Sequence, residues 1–74
     1  MPITKDTKFL ILLGKRIKKL RKEKKISQAQ LSFEADVQIS QISRIERGLI
    51  NTSVLSLNNI AKTLEVNLKE LFDF

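Results

Sequence analysis

The segment 27–48, SQAQLSFEADVQISQISRIERG, constrains this chain more than any other, because its signals fit two short helices joined by a sharp turn. Ser27 followed by Gln30 has the S-x-x-Q form of a capping box, in which hydroxyl and amide each satisfy an orphan backbone N–H. A helix therefore starts near Gln28, with Leu31 and Ala35 lining one face and Ser32 small enough to admit a neighbouring helix. Asp36 is a residue type that tolerates the left-handed backbone of a tight turn, so the first helix is expected to stop there. Val37 then offers an apolar plug, Ile42 and Ile45 repeat at helical spacing, and Gly48 stands where helices commonly end. The second helix is predicted over residues 39–47.

The rest of the chain is equally helical in pattern. With 74 residues there is room for one domain with a simple core, since a chain of this size buries only about 60% of its extended surface. One Pro and two Gly interrupt it, and strand-type alternation is absent. Residues 1–6 lack periodicity and are expected to form a flexible tail, leaving 7–74 as the domain. Leu10, Leu13, Ile17 and Leu20 make one apolar stripe over a first helix near 7–24, with Phe9 beside it. Gly14 costs roughly 1 kcal/mol relative to Ala inside a helix, which suggests close approach of another backbone. Ile11 and Leu12 fall off the stripe and are placed against the aromatics Phe72 and Phe74. Thr52 or Ser53 caps a fourth helix whose inner face is Leu57, Ile60, Ala61 and Leu64. Asn67 and Glu70 open a short fifth helix.

Composition narrows the chemistry. There is no Cys and no His, hence no thiolate metal site and no disulfide, and neither a cofactor nor an enzyme is indicated. The longest apolar run is too short for a membrane span, which points to a cytoplasmic protein. Charge is lopsided: residues 1–26 hold ten Lys or Arg against two acids, a balance of +8, while residues 27–74 hold four against six, a balance of −2. Eight basic residues fall within 15–25, opposed only by Glu23. Any single lysine there is readily explained as solvated surface, but the cluster attracts polyanions.

The Ser-Gln start, Leu31, Ser32, Ala35, Val37, Ile42, Ile45 and the Glu46-Arg47-Gly48 ending resemble the helix-turn-helix of the phage repressor and Cro-type (Xre) family. The resemblance extends to LGKRIKKLRKEKKIS before the motif and LSLNNIAKTLEVNLKELF after it. Within that family, the small controller proteins of restriction-modification systems are most similar in size and carry a comparable NTS-type segment after the glycine. The resemblance implies an all-α, compact five-helix domain with a lambda-repressor-like layout. It also implies a regulator that binds double-stranded DNA, whose major groove admits one helix and presents a distinct pattern for each base pair.

With Ile42 and Ile45 turned inward, the second helix of the motif directs Gln38, Ile39, Ser40, Ser43, Arg44 and Arg47 toward solvent, with Gln41 at the margin. These are the base-reading candidates. Arg44 can bond guanine O6 and N7 in bidentate fashion, Gln38 can read adenine, and Ile39 can pack on a thymine methyl. Ser40 and Ser43 suit a base or a phosphate. Capping is the alternative for Gln38, and partial burial against neighbouring helices explains Ile39 equally. Ser27 and Gln28 sit at a helix N-terminus, a natural phosphate site, and the resemblance puts the Gln28 side chain, Asn51 and Thr52 on the duplex backbone. Arg16 and Lys19 are the basic residues chosen for phosphate. By the same resemblance Arg21 and Glu46 form a structural ion pair between the first and third helices.

Two departures from the family pattern matter. Asp36 replaces the usual turn glycine. Leu49 and Ile50 stand where many relatives carry polar or basic loop residues, which favours an interface. Leu55 points away from Leu57 and Ile60, so Ile50, Val54 and Leu55 are read as a patch buried by a second copy. A symmetric homodimer is expected, because one small domain reads too few base pairs for high specificity. The competing reading is a protein-interaction module, such as an antitoxin or adaptor, that uses the apolar patch around Leu55. No small-molecule substrate is suggested by either.

Overall fold

The computed structural model describes residues 5–74, and their helices begin and end where local chemistry supplies partners for stranded backbone groups. α1 spans Lys5–Glu23, with Asp6 in its first turn and Arg21 and Lys22 in its last, signs that suit the helix dipole. It starts two residues ahead of Thr7, so Lys5 and Asp6 are helical rather than tail. The remainder of the expected tail, residues 1–4, lies outside the described residues.

α2 spans Gln28–Ala35, and Ser27 Oγ accepts from the Gln30 N–H at 3.0 Å, forming the serine half of the capping box. Asp36 takes φ 56° and ψ 45°, and its N–H and that of Val37 both turn to the Ser32 carbonyl. Ser32 does more than stay small, since its hydroxyl donates to the Val37 carbonyl at 2.6 Å and pins the turn. α3 spans Ile39–Glu46 and ends through Gly48 at φ 72°, where the Leu49 N–H returns to the Arg44 carbonyl. α4 spans Val54–Thr63, and of its two candidate caps Ser53 is the one used, accepting from the Ser56 N–H at 3.0 Å. The fifth helix, Leu68–Phe72, is wound as a 3-10 helix, and the Glu70 carboxylate accepts from the Asn67 N–H at its start. No strand occurs among the described residues, and no helix there is long and apolar enough to cross a membrane.

The core draws on every element: Leu13 and Ile17 from α1, Leu31 and Ala35 from α2, Ile42 and Ile45 from α3, and Leu57, Ile60 and Ala61 from α4. Val37, Leu64 and Leu71 complete it. Ile17, Leu31, Ile42, Ile60 and Leu71 are the largest side chains fully removed from water, each worth about 1.5–3 kcal/mol by transfer. Leu10 and Leu20, the ends of the predicted α1 stripe, are half-buried at its margin.

Both glycines are set by proximity. A Cβ on Gly14 would stand 2.7 Å from the Glu46 carbonyl oxygen and would also strike that of Ile45, so α1 and the end of α3 touch backbone to backbone. A Cβ on Gly48 would stand 2.7 Å from the Ile11 Cα. Ile11 therefore packs on the turn after α3 and not on the C-terminal aromatics, as the sequence suggested. Phe9 takes that place, stacking on Phe72 at 6.1 Å between ring centroids and tilting against Phe74 at 5.5 Å, while Leu12 stays exposed. The reason lies in α1's rotation about its axis, which turns Phe9 and Arg16 together toward the closing 3-10 helix.

Candidate nucleic-acid interface

A single buried network fixes how α1, α2 and α3 meet. Arg21 donates from Nε to Glu46 Oε2 at 2.6 Å and from Nη2 to Oε1 at 3.0 Å, a two-pronged pairing that suits the planar guanidinium. Its remaining nitrogen, Nη1, donates to the Ile26 carbonyl at 2.9 Å in the α1–α2 connection. Gln28, the first residue of α2, donates from Nε2 to Glu46 Oε1 at 3.0 Å. The last turn of α1, the first residue of α2 and the last residue of α3 are thus bonded to one another. The expected Arg21–Glu46 pair is formed and buried, and the Glu46 bond holds the Arg21 guanidinium above its ordinary pKa although burial opposes it. Gln28's amide nitrogen, assigned to phosphate by resemblance, is directed inward instead.

That frame presents the outer side of α3. Gln38, Ile39, Ser40, Arg44 and Arg47 are all exposed, and Ser43 is half-buried. Gln38 occupies the cap position without a side-chain capping bond, so capping does not occupy its amide. Ile39 is 50% exposed, which leaves half its surface for another molecule. Arg47 bends back along the helix, with Nε donating to the Ser43 carbonyl at 3.3 Å. The Arg44 side chain engages no hydrogen bond or ion pair among the described residues. Gln41, marginal on the helical wheel, ties α3 to the loop that carries Asn51 and Thr52, because its Nε2 donates to Thr52 Oγ1 at 3.0 Å. A pairing between residues eleven apart across a turn leaves no local pattern in the sequence, and it was not foreseen there.

The basic cluster sorts into two groups. Arg16 donates from Nε to the Glu70 carbonyl at 2.8 Å and lies 3.8 Å from Asp73, so it anchors the closing 3-10 helix. Expected on phosphate, its side chain is instead mostly shielded in this structure and shares the Glu70 carbonyl with the Asp73 N–H. Lys24 pairs with Glu65 at 2.7 Å and holds that carboxyl below the usual carboxylate range. Lys15, Lys18, Lys19, Lys22 and Lys25 remain exposed and without an ion pair among the described residues.

The apolar patch is also rearranged. Val54 and Leu55 stand 70% and 69% exposed, but Ile50 is half-buried and packs on the core. Leu49, beside it in the loop, is exposed in its place. Phe33, on the outer side of α2, is exposed further still, and helical periodicity had not singled it out.

Known proteins share this arrangement. A family model described as helix-turn-helix matches residues 17–71. The chain is 40% identical over 65 residues to the control protein C.BamHI of Bacillus amyloliquefaciens, covering 86% of this chain and 80% of that protein. It is 46% identical over 63 residues to the HTH-type transcriptional regulator SlrR of Bacillus subtilis, covering 84% of this chain and 41% of that regulator. The crystal structure of the restriction-modification controller protein C.AhdI from Aeromonas hydrophila superposes with a TM-score of 0.84 at 33% identity, over 85% of this chain and 96% of that one.

Proposed function

The chain belongs to the helix-turn-helix family, and on that premise we propose that it is a sequence-specific regulator of transcription that reads the DNA major groove with α3. The observation that carries this reading is the exposed face of α3, where Gln38, Ile39, Ser40 and Arg44 project from a helix braced from behind by the Arg21–Glu46–Gln28 network. Arg44 is the strongest base reader, with a bidentate contact to guanine worth about 1–3 kcal/mol of discrimination. Ser43 and Arg47 flank it. Phosphates are met by the first-turn N–H groups of α2 beside Ser27 and Gln28, and by Asn51 and Thr52, which Gln41 holds in place. Lys19 adds field.

The domain measures 33 × 24 × 21 Å, so one copy covers one groove face, whereas two half-sites lie about 34–36 Å apart. A homodimer joined through Leu49, Val54 and Leu55 answers that requirement. Cytoplasmic residence follows from the role. A place among the controllers of restriction-modification systems is supported by the likeness to C.BamHI and C.AhdI, and an adjacent methyltransferase and nuclease gene would corroborate it.

The test is selection of bound sequences from random duplexes, followed by titration across salt. A repeated half-site at one-turn spacing is expected, with affinity falling about 10³ to 10⁵-fold between 50 and 200 mM salt if six to ten phosphates are contacted. Binding to a co-encoded protein with no salt-sensitive affinity for any duplex would hand the function to the adaptor reading.

A further inference from the structure

Lys8, Lys15, Lys18, Lys19 and Lys22 follow one another on α1 at steps of seven, three, one and three residues. At roughly 100° per residue these steps gather the five side chains into one arc of about 100°. All five are exposed, and none has an ion pair among the described residues. The opposite side of the helix carries Leu13 and Ile17 into the core. Contact with α3 runs through Gly14 and Arg21, about a quarter-turn from the centre of the arc, and contact with the turn after α3 runs through Ile11, whose half-buried side chain lies between Lys18 and Lys22. The lysine track therefore borders α3 along one edge and extends away from it along α1.

We infer that this track is a second DNA surface, which engages phosphates of the duplex beyond the half-site read by α3. The inference rests on the DNA-binding reading above. From Lys8 to Lys22 the helix rises about 21 Å, which spans about six base-pair steps at roughly 3.4 Å of duplex axis per phosphate of a strand. Five like charges held on a rigid rod repel one another until a polyanion lies along them. A lipid surface is disfavoured, because a helix lying in a membrane interface inserts its apolar face, and that of α1 is committed to the core. Flanking DNA has the advantage of attachment: once α3 holds the operator, the adjoining duplex is present at high effective concentration.

The experiment compares the operator recovered by selection in two duplexes, one ending flush with the half-sites and one extended by about two helical turns on each side. Each phosphate neutralised adds about 0.9 to the slope of log affinity against log salt, so the long duplex gains up to about 4.5 per protomer. Replacing Lys8, Lys15, Lys18 and Lys22 together by Gln removes about 3.6 of that gain, while the matching Arg variant keeps it. Circular dichroism melts establish that both variants fold, and the unaltered protein on the two duplexes decides the matter even if one does not. Equal slopes on the two duplexes, or a difference that the Gln variant leaves undiminished, overturn the inference and leave operator reading intact. Capture by anionic phosphatidylserine vesicles without any slope difference overturns it in favour of a membrane. If no operator is recovered, the DNA reading fails and this inference fails with it.

Discussion

Replacing Glu46 by alanine strands Arg21 in the core, and the geometry sets what that costs. The two side chains are 10% and 2% exposed and share bonds of 2.6 and 3.0 Å. Removing one partner of a buried pair costs about 3–5 kcal/mol, because the other charge stays desolvated without compensation. Arg21 would keep its bond to the Ile26 carbonyl, which softens the loss, while Gln28 would lose its acceptor, which adds to it. A cost of about 3 kcal/mol is expected, at the lower end of that range. A chain of 74 residues holds roughly 4–11 kcal/mol in total, so the variant sits near the edge of folding. At about 4–8 °C per kcal/mol, its melting midpoint falls by roughly 12–24 °C. Thermal and urea melts by circular dichroism measure this, with Arg21→Met, Glu46→Leu and their combination closing a double-mutant cycle. The combined variant should be more stable than either single one, since neither charge is then left behind. Because the Glu46 bond raises the Arg21 pKa, the guanidinium's contribution is complete below the ordinary arginine value and is lost only as pH climbs through the raised one. A Glu46→Ala cost below about 1 kcal/mol, the worth of an exposed pair, would refute the reasoning from burial.

Gly14→Ala should destabilise by about 1–3 kcal/mol although alanine gains about 1 kcal/mol in helix propensity, since its methyl meets the α3 carbonyls; a raised urea midpoint would contradict the close approach. Asp36→Gly should stabilise by at most about 1 kcal/mol, relieving the left-handed backbone, and a lowered midpoint in urea would show that the aspartate contributes a bond of its own. Arg44→Ala should relax base preference at one position of a selected operator while Lys19→Ala weakens all duplexes alike; equal loss of preference from both would count against α3 as the reader. Leu55→Lys should convert a dimer to monomer in sedimentation at micromolar concentration without lowering the melt of the monomer, and an unchanged mass would move the interface elsewhere.

Local chemistry made the motif legible. Ser27, Asp36, Ser53 and Asn67 act within a few residues of themselves, through caps and a left-handed turn, so their roles can be read from neighbours in the chain. The apolar repeats of α1 and α4 worked for the same reason. Arg21 with Glu46 was reached differently, by resemblance, because nothing local links positions twenty-five apart. Where reading by type and charge stood alone it missed the partner of Arg16, since a cation in a basic run looks the same whether it meets phosphate or a carbonyl of its own chain.

What the amino-acid order decided by itself was therefore where each helix starts, where it stops and which side it buries, because caps, turns and periodicity act over one or two turns of chain. Which way each helix is rotated and what it meets were decided only in the packed molecule. The meeting of Gly14 with the α3 carbonyls, the inward turn of Gln28, the Gln41–Thr52 tie and the exchange of Ile50 for Leu49 at the surface all depend on that packing. Crossing positions arise from many side chains interlocking at once, and a change of a few tens of degrees about one helix axis reassigns every partner along it.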